Sequence, residues 1–333
     1  MVKPSINWKL YLGIALSLLF MYLAFRKVNV AQMAGAFTAA NYWYILPVVI
    51  LIFFSHWLRS VRWRYLLAPV QTVRVAPLFN SLMIGYLFNT FLPAHLGEFV
   101  RAYVLARKEE LPASAVFGTI VIERLIDVLA LLLLMALTMI VYPFPEWVKK
   151  SGYLTLLFIV VLFVMLIVMK RYAAQTLAII DRLTRPLSSG WSGQIHHQVD
   201  SFLQGIVALQ RPLHYVIVTA LSVVIWLCYG VTFQLVLHSF NFVATYQLPW
   251  TASLVLLVIT TISILVPSSP GYVGTYHYLC QLSLGLFQVP TSPALTFAFV
   301  MHGLNFLPIL IVGFIILSKE GLSVKSLQKT VKQ

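Results

Sequence analysis

The string Glu123-Arg124-Leu-Ile-Asp127 places three ionisable side chains inside an apolar run that covers residues 113–141. It begins ten residues into that run, so on an upright helix it lies about 15 Å deep, near the centre of a ~30 Å hydrocarbon layer. An acid or an arginine at that depth costs roughly 2.5 to 3.5 kcal/mol each, so the groups must pair or face a polar cavity. Arg124 and Asp127 are spaced i, i+3 and Glu123 and Asp127 i, i+4, and both spacings share a helix face. Two chemistries fit: an ion pair that fixes helix packing, or a pathway for a substrate or a proton. The pathway is the favoured reading.

A second pair, Glu98 and Arg101, follows Pro93, with Asn89, His95 and Gly97 beside it. Around Pro267 stand Ser268, Ser269, Gly271, Tyr272, Gly274, Tyr276 and His277, which offer hydroxyl and imidazole groups but no fixed charge. A chain interrupted at membrane depth frees backbone N–H and C=O groups that lipid cannot satisfy, so each break implies a protein or water-lined surround. Signatures of an enzyme are missing: the sequence has no HExxH, GxSxG or Walker string and no Cys beside a His. Ser268 with His277 is a faint hint of a hydrolase, without supporting spacing. The expectation is a non-enzyme with no metal and no cofactor. Cys228 and Cys280 lie in apolar runs and read as packing residues.

The elements that must position these residues are membrane segments. Of 333 residues, 60% are hydrophobic and 10% charged, with a mean hydropathy of +0.90, against roughly 25% charge in a soluble chain. A soluble protein is excluded. At about 20 residues per crossing the apolar stretches supply about six to eight segments, which leaves no room for a separate soluble domain. The net charge of +14 sits in short clusters between apolar runs, the pattern that holds Lys and Arg in the cytoplasm rather than one that binds nucleic acid.

Runs at residues 9–25, 42–57, 113–141, 153–169, 213–237 and 294–317 read as crossings. Those at 77–92 and 250–289, broken at Pro93 and at Pro267, Pro270 and Gly271, read as re-entrant hairpins, with two short spans as the alternative for the second. This gives an all-α polytopic membrane protein of about six crossings plus two re-entrant broken hairpins, with both termini cytoplasmic. It counts eighteen basic residues inside, among them Arg59, Arg62 and Arg101, against four outside. The chain is one transmembrane domain, 1–333: a first half at about 42–169, a cytoplasmic linker at 170–212 and a second half at about 213–318. In the linker Ile195, Val199, Phe202, Leu203, Ile206 and Leu209 recur at helical steps, which predicts an amphipathic helix on the membrane surface or docked on the bundle.

The halves echo each other. Pro93-Ala-His-Leu-Gly97 and Pro267-Ser-Ser-Pro-Gly271 share P-x-x-x-G, and Pro112-Ala-Ser114 matches Pro290-Thr-Ser292 at an offset of 178. That offset sets Arg124 against His302 and Asp127 against Asn305. With opposite orientations the halves read as an inverted repeat with a midplane site between two discontinuous elements. Chance recurrence of Pro and Gly is the alternative.

Taken in order, Arg62-Trp63-Arg64-Tyr-Leu-Leu, Asn89-Thr-Phe-Leu-Pro93-Ala-His-Leu-Gly97-Glu98-Phe-Val-Arg101, Glu123-Arg124-Leu-Ile-Asp127 and Pro267-Ser-Ser-Pro-Gly271-Tyr-Val-Gly274 resemble the flippase-like membrane domain of lysylphosphatidylglycerol synthetases and its stand-alone relatives. The likeness spans nearly the whole chain. It implies a protein of the bacterial cytoplasmic membrane that moves, or helps to move, an anionic lipid, either a phospholipid or a polyprenyl-type lipid. Two departures stand out: Thr275 where the family's second hairpin continues with an acid, and His302 where its last crossing carries an Arg. The aminoacyl-transfer domain of the synthetase relatives has no counterpart here, so lipid aminoacylation is not expected.

The expected site therefore comprises Asn89, Pro93, His95, Gly97, Glu98, Arg101, Glu123, Arg124, Asp127, Pro267, Gly271, Tyr272, Gly274, His277, His302 and Asn305, with Arg101 and Arg124 on a phosphate and the acids orienting them. A non-transporting scaffold for a lipid-modifying or glycosyltransferase enzyme is the alternative, and an enzyme acting on a lipid headgroup is a minor third. A homodimer is the assembly to test.

Overall fold

A computed structural model of the chain describes residues 8–92, 95–186, 189–206, 209, 211–265 and 270–322. Among the described residues the regular structure is all helical. The helices are α1 (Trp8–Phe25), α2 (Val30–Ala39), α3 (Ile45–Leu67), α4 (Val75–Phe91), α5 (Gly97–Glu109), α6 (Ala113–Val141) and α7 (Glu146–Arg171). They continue as α8 (Ala173–Thr184), α9 (Ser189–Gly205), α10 (Pro212–Ser239), α11 (Phe242–Thr245), α12 (Thr251–Leu265), α13 (Thr275–Gly285) and α14 (Thr291–Lys319).

Among the described residues five helices are long and apolar enough to cross a membrane: α3 with its leading turn, α6, α7, α10 and α14. The chain is a polytopic membrane protein. The shorter apolar helices include α4 and parts of α1 and α12. At 17 and 13 residues, α4 and α5 reach about 25 and 20 Å, short of a ~30 Å core. They pack against each other as a helix–break–helix pair, and α12 and α13 do the same. The prolines at the two breaks, Pro93 and Pro267, and the hydroxyls Ser268 and Ser269, lie outside the described residues.

Close backbone contact holds the first pair. A Cβ on Gly97 would lie 2.1 Å from the Gly85 carbonyl, and one on Gly85 would lie 2.8 Å from the Arg101 Cβ, so the crossing of α4 and α5 needs both glycines. The linker helix docks on the bundle in the same manner. A Cβ on Gly205 of α9 would lie 2.0 Å from the Ala115 carbonyl of α6, and Leu203, with Val199 and Phe202 around it, joins a cluster with Leu125 and Ile159. Of the two expected placements, the docked one is found. The helix ends at Gly205 rather than continuing to Leu209.

The sequence run at residues 42–57 turns out to be only part of its helix. Asn41 accepts a bond from the Trp43 N–H to start the turn, and α3 then continues to Leu67 because no helix breaker occurs between Pro47, which its first turn tolerates, and Pro69. Arg59 and Arg62 are thus inside a membrane helix, 5% and 0% exposed, and Arg101 on α5 is 0% exposed. Their count as basic markers of the cytoplasmic surface is corrected.

Two regularities relate the halves. The starts of α5 and α13, Gly97 and Thr275, are 178 positions apart, and so are the starts of α6 and α14, which both run for 29 residues. The packing also corresponds: α4 lies on α14 as α12 lies on α6, and α3 and α10 lie on each other.

At one end of the bundle, Glu320 joins three helices. Its carboxylate accepts from Asn80 of α4 at 2.8 Å and from Lys108 of α5, just past the end of its own α14. The Lys108 ammonium holds the Glu320 carboxyl below its ordinary range. A carboxyl depressed in the fold stabilises it above the unfolded value of about 4.3, and the contribution fades as pH falls through the lower folded value. The pair is partly exposed, so we expect no more than about 1 kcal/mol. Melting in detergent between pH 7 and pH 3 should therefore show a small acid-side loss in the wild type that Glu320→Gln removes.

Candidate functional site

Seven charged side chains from three helices meet in the first half. On α3, Arg59 and Arg62 are spaced i, i+3, and on α6, Glu123 and Asp127 are spaced i, i+4, so each pair presents one face to the other helix. Arg59 Nη2 donates to Glu123 Oε1 at 2.7 Å and to Asp127 Oδ2 at 2.8 Å. Arg62 Nη2 donates to Asp127 Oδ1 at 2.6 Å, and its Nη1 donates to Ser222 Oγ of α10 at 2.9 Å. From α5, Arg101 Nη2 donates to the second oxygen of Glu123 at 2.7 Å, while its guanidinium lies 3.6 Å over the Trp63 ring. Trp63 is pinned in turn by an Nε1–H bond to Thr119 at 3.0 Å. Glu123 is 0% exposed. An ionised carboxylate so deep is tolerable only because Arg59 and Arg101 saturate its two oxygens.

The remaining pair forms a looser edge. Glu98 lies 3.0 Å from Arg124 and 3.6 Å from Arg101. Neither Glu98 oxygen has an aligned hydrogen bond, and the same is true of Arg124 Nε and Nη2. The Arg124 side chain is 39% exposed, the most open of the seven. The expected i, i+3 partner, Asp127, is 3.8 Å away and already engaged by Arg59 and Arg62. Arg124 faces a cavity of about 340 Å³ shared with His95 and Glu98 and otherwise lined by apolar side chains.

The two breaks meet beside this edge. His95 and Tyr272 both adopt left-handed backbone, φ +57 in each, and the Tyr272 hydroxyl is hydrogen-bonded to His95 Nε2 at 2.7 Å. Behind Tyr272, His302 of α14 donates from Nε2 to the Gly271 carbonyl at 2.8 Å, and its ring centre lies 4.7 Å from that of His277. Gly274, at φ +91, donates its N–H to His277 Nδ1 at 3.3 Å. A Cβ there would come within 2.4 Å of the Ser17 carbonyl, so α1 closes over this turn only because the residue is glycine. The Tyr276 hydroxyl and His277 Nε2 are buried without a hydrogen-bond partner.

Most of the expected residues are thus gathered, in different capacities. Glu98, Arg101, Glu123, Arg124 and Asp127 form the charged set, Gly271, His277 and His302 a neutral set, and His95 with Tyr272 the link. Asn89 and Gly97 are positioning residues: the Asn89 side chain accepts the Gly97 N–H at 2.8 Å where α5 begins. Asn305 stands apart, bonded to the Met301 carbonyl of its own helix at 2.9 Å.

Arg59 and Arg62 were missed. Their signal was the breaker-free stretch up to Pro69, which carries the helix past the apparent end of its apolar run.

Together these features define a polytopic membrane protein with a buried ion-pair cluster beside two helix breaks that touch. The chain belongs to the family described as the lysylphosphatidylglycerol synthase TM region, whose model matches residues 10–313. It is 22% identical over 312 residues to the UPF0104 membrane protein MJ1595 of Methanocaldococcus jannaschii, across 90% of this chain and 91% of that protein. No solved structure matches the chain.

The geometry separates residues that hold the fold from those at its edge. Replacing Glu123 by Gln takes the anion from Arg59 and Arg101 and leaves buried cations uncompensated, a change that costs about 3–5 kcal/mol. We expect Glu123→Gln to lose most of its folded, detergent-soluble protein by size-exclusion chromatography, while Arg124→Gln retains a monodisperse peak.

Proposed function

We propose that this protein is a translocase, or the translocating component of one, that carries an anionic, phosphate-bearing lipid across the bacterial cytoplasmic membrane. The observation that carries the reading is the meeting of the two breaks, through His95 and Tyr272, beside the open edge of a buried charge cluster. A lipid headgroup needs a polar stepping place at membrane depth, while its hydrocarbon needs continuous access to lipid. The Arg124 edge opens on an apolar-lined cavity and so offers both. Arg124 is the residue we assign to the phosphate, because a guanidinium fork can donate two bonds to one anion. Glu98 holds that fork in place when no headgroup is present. Arg101, given the same task in the sequence reading, is instead committed to Glu123 and Trp63.

We read the two halves as a duplication in opposite orientation, with both termini on the cytoplasmic side. The common offset of 178 for two helix starts and the reciprocal packing of α4 on α14 and α12 on α6 support it. Inverted halves around a midplane site suit alternating exposure to the two leaflets. The scaffold alternative would draw on the amphipathic helix α9, yet α9 spends its apolar face on α6 and leaves little of it for a partner.

In proteoliposomes with a headgroup-labelled phosphatidylglycerol, Arg124→Gln and Glu98→Gln should abolish transbilayer movement while the proteins stay folded. Unchanged rates in both variants reject these roles, and a wild type that moves no lipid favours the scaffold. Tyr272→Phe tests the link between the breaks. Losing one hydrogen bond worth ~1 kcal/mol should raise the rate up to about fivefold if that bond latches the path shut.

A further inference from the structure

The charged cluster does not balance. Among the described residues it joins four guanidinium groups, Arg59, Arg62, Arg101 and Arg124, with three carboxylates, Glu98, Glu123 and Asp127. One positive charge is left over in a setting of low dielectric. The surplus sits at Arg124: the other three guanidinium groups are buried and donate aligned bonds to carboxylates, whereas Arg124, 39% exposed, meets Glu98 at 3.0 Å without an aligned bond. The neighbouring imidazole of His95, bonded to Tyr272, is neutral or cationic and cannot offset the surplus.

The cavity in front of Arg124 is built for hydrocarbon. Phe99 of α5 stacks on Phe117 of α6 at 4.3 Å to make a flat wall, with Val121 and Val128 along α6 and Phe158 and Leu162 on α7 opposite. Its volume of about 340 Å³ falls in the range of small-ligand pockets, roughly 300–1,000 Å³. On α7 the buried positions Val148, Gly152, Ile159 and Leu166 make a single stripe, and the helix otherwise exposes apolar side chains. The groove therefore lies against a helix whose outer face suits hydrocarbon.

We propose that the groove between α5, α6 and α7 holds one hydrocarbon chain of a membrane lipid whose headgroup carries a single negative charge, a phosphodiester with no compensating amine, seated on Arg124. This rests on the reading of the protein as one that handles lipid, and it names the substrate class. A monoanion brings the cluster to neutrality. A zwitterionic head brings no net charge and leaves the surplus in place. A cationic head, such as an aminoacylated one, adds to the surplus, and a dianionic phosphomonoester overshoots it. The groove supplies the apolar part of the binding and Arg124 the selectivity.

The test is equilibrium lipid binding to the full-length, delipidated protein in detergent, followed by native mass spectrometry. The probes are phosphatidylglycerol, phosphatidylcholine and lysylphosphatidylglycerol with identical acyl chains. The wild type should bind phosphatidylglycerol at least about tenfold more tightly than either of the others. Arg124→Lys should keep that preference and Arg124→Gln should erase it, whereas Leu162→Trp should weaken all three lipids by filling the groove. Melting curves check that each variant is folded. Equal binding of phosphatidylglycerol and phosphatidylcholine by the wild type overturns the proposal. So does a preference that survives Arg124→Gln, a Leu162→Trp variant that binds normally, or a dimer peak that displaces lipid. Because no transbilayer movement is measured, selective binding without flipping would sink only the translocase reading. Flipping with unselective binding would sink only this site.

Discussion

Ionised groups cannot be left alone in hydrocarbon, and the first half of this protein is arranged around that constraint. Glu123 is fully buried and each of its oxygens is claimed by a different arginine, Arg59 from α3 and Arg101 from α5. Asp127 takes Arg59 and Arg62 one turn further on. A shift of one residue along α3 or α6 turns a side chain by about 100° and moves it by about 1.5 Å, enough to strand a charge. The cluster therefore fixes the relative register of three helices at once, which loose apolar packing does not. Buried pairs of this kind add little net stability over apolar residues of the same volume, but removing one partner is expensive. Their value here is in defining one arrangement.

The second half solves the corresponding problem without charge. At the offset of 178, His302 stands where the first half has Arg124, and Asn305 where it has Asp127. The His302 donor goes to the Gly271 carbonyl, and the ring stacks on Phe306 at 4.2 Å. Around α13 and α14 the packing is apolar, with Phe297, Ala298, Met301 and Cys280 buried in a cluster shared with α10 and α12. Neutral hydrogen bonds are worth about 1 kcal/mol each, against several for a buried ion pair broken on one side. The two breaks that touch through His95 and Tyr272 are thus held differently, the first by ion pairs and the second by neutral hydrogen bonds and apolar packing.

Much of this was legible in the residues. The all-helical membrane class, the two broken pairs and the place of Glu123, Arg124 and Asp127 within an apolar helix followed from apolar run lengths and the positions of proline and glycine. The partners of those acids did not. Arg59 and Arg62 sit among aromatic and basic residues in the pattern that normally marks a membrane surface, and a rule based on composition counted them there. What decides their depth is the helix end at Leu67, set by Pro69, and the matching acids on α6. Pairing across 64 to 68 positions of sequence, as between Arg59 and the two acids, is a tertiary fact with no local signature. The role of Gly97 was similarly hidden: it reads as the end of a break, yet its lack of a Cβ is what lets α5 lie against Gly85.

A cluster so well paired would ordinarily argue for a packing device and nothing more, since Arg59, Arg62 and Arg101 have no freedom to meet a substrate. Arg124 changes the argument. Its neighbour Glu123 is sealed, but one position further round the helix the Arg124 side chain lines the groove and is 39% exposed. The locked core and the open edge depend on each other: without three arginines already neutralised behind it, Glu98 and Asp127 would close over Arg124 and spend its charge. The dry ion pairs thus leave Arg124 as the exposed cation of the cluster, next to the one place among the described residues where side chains of the two breaks are seen to bond.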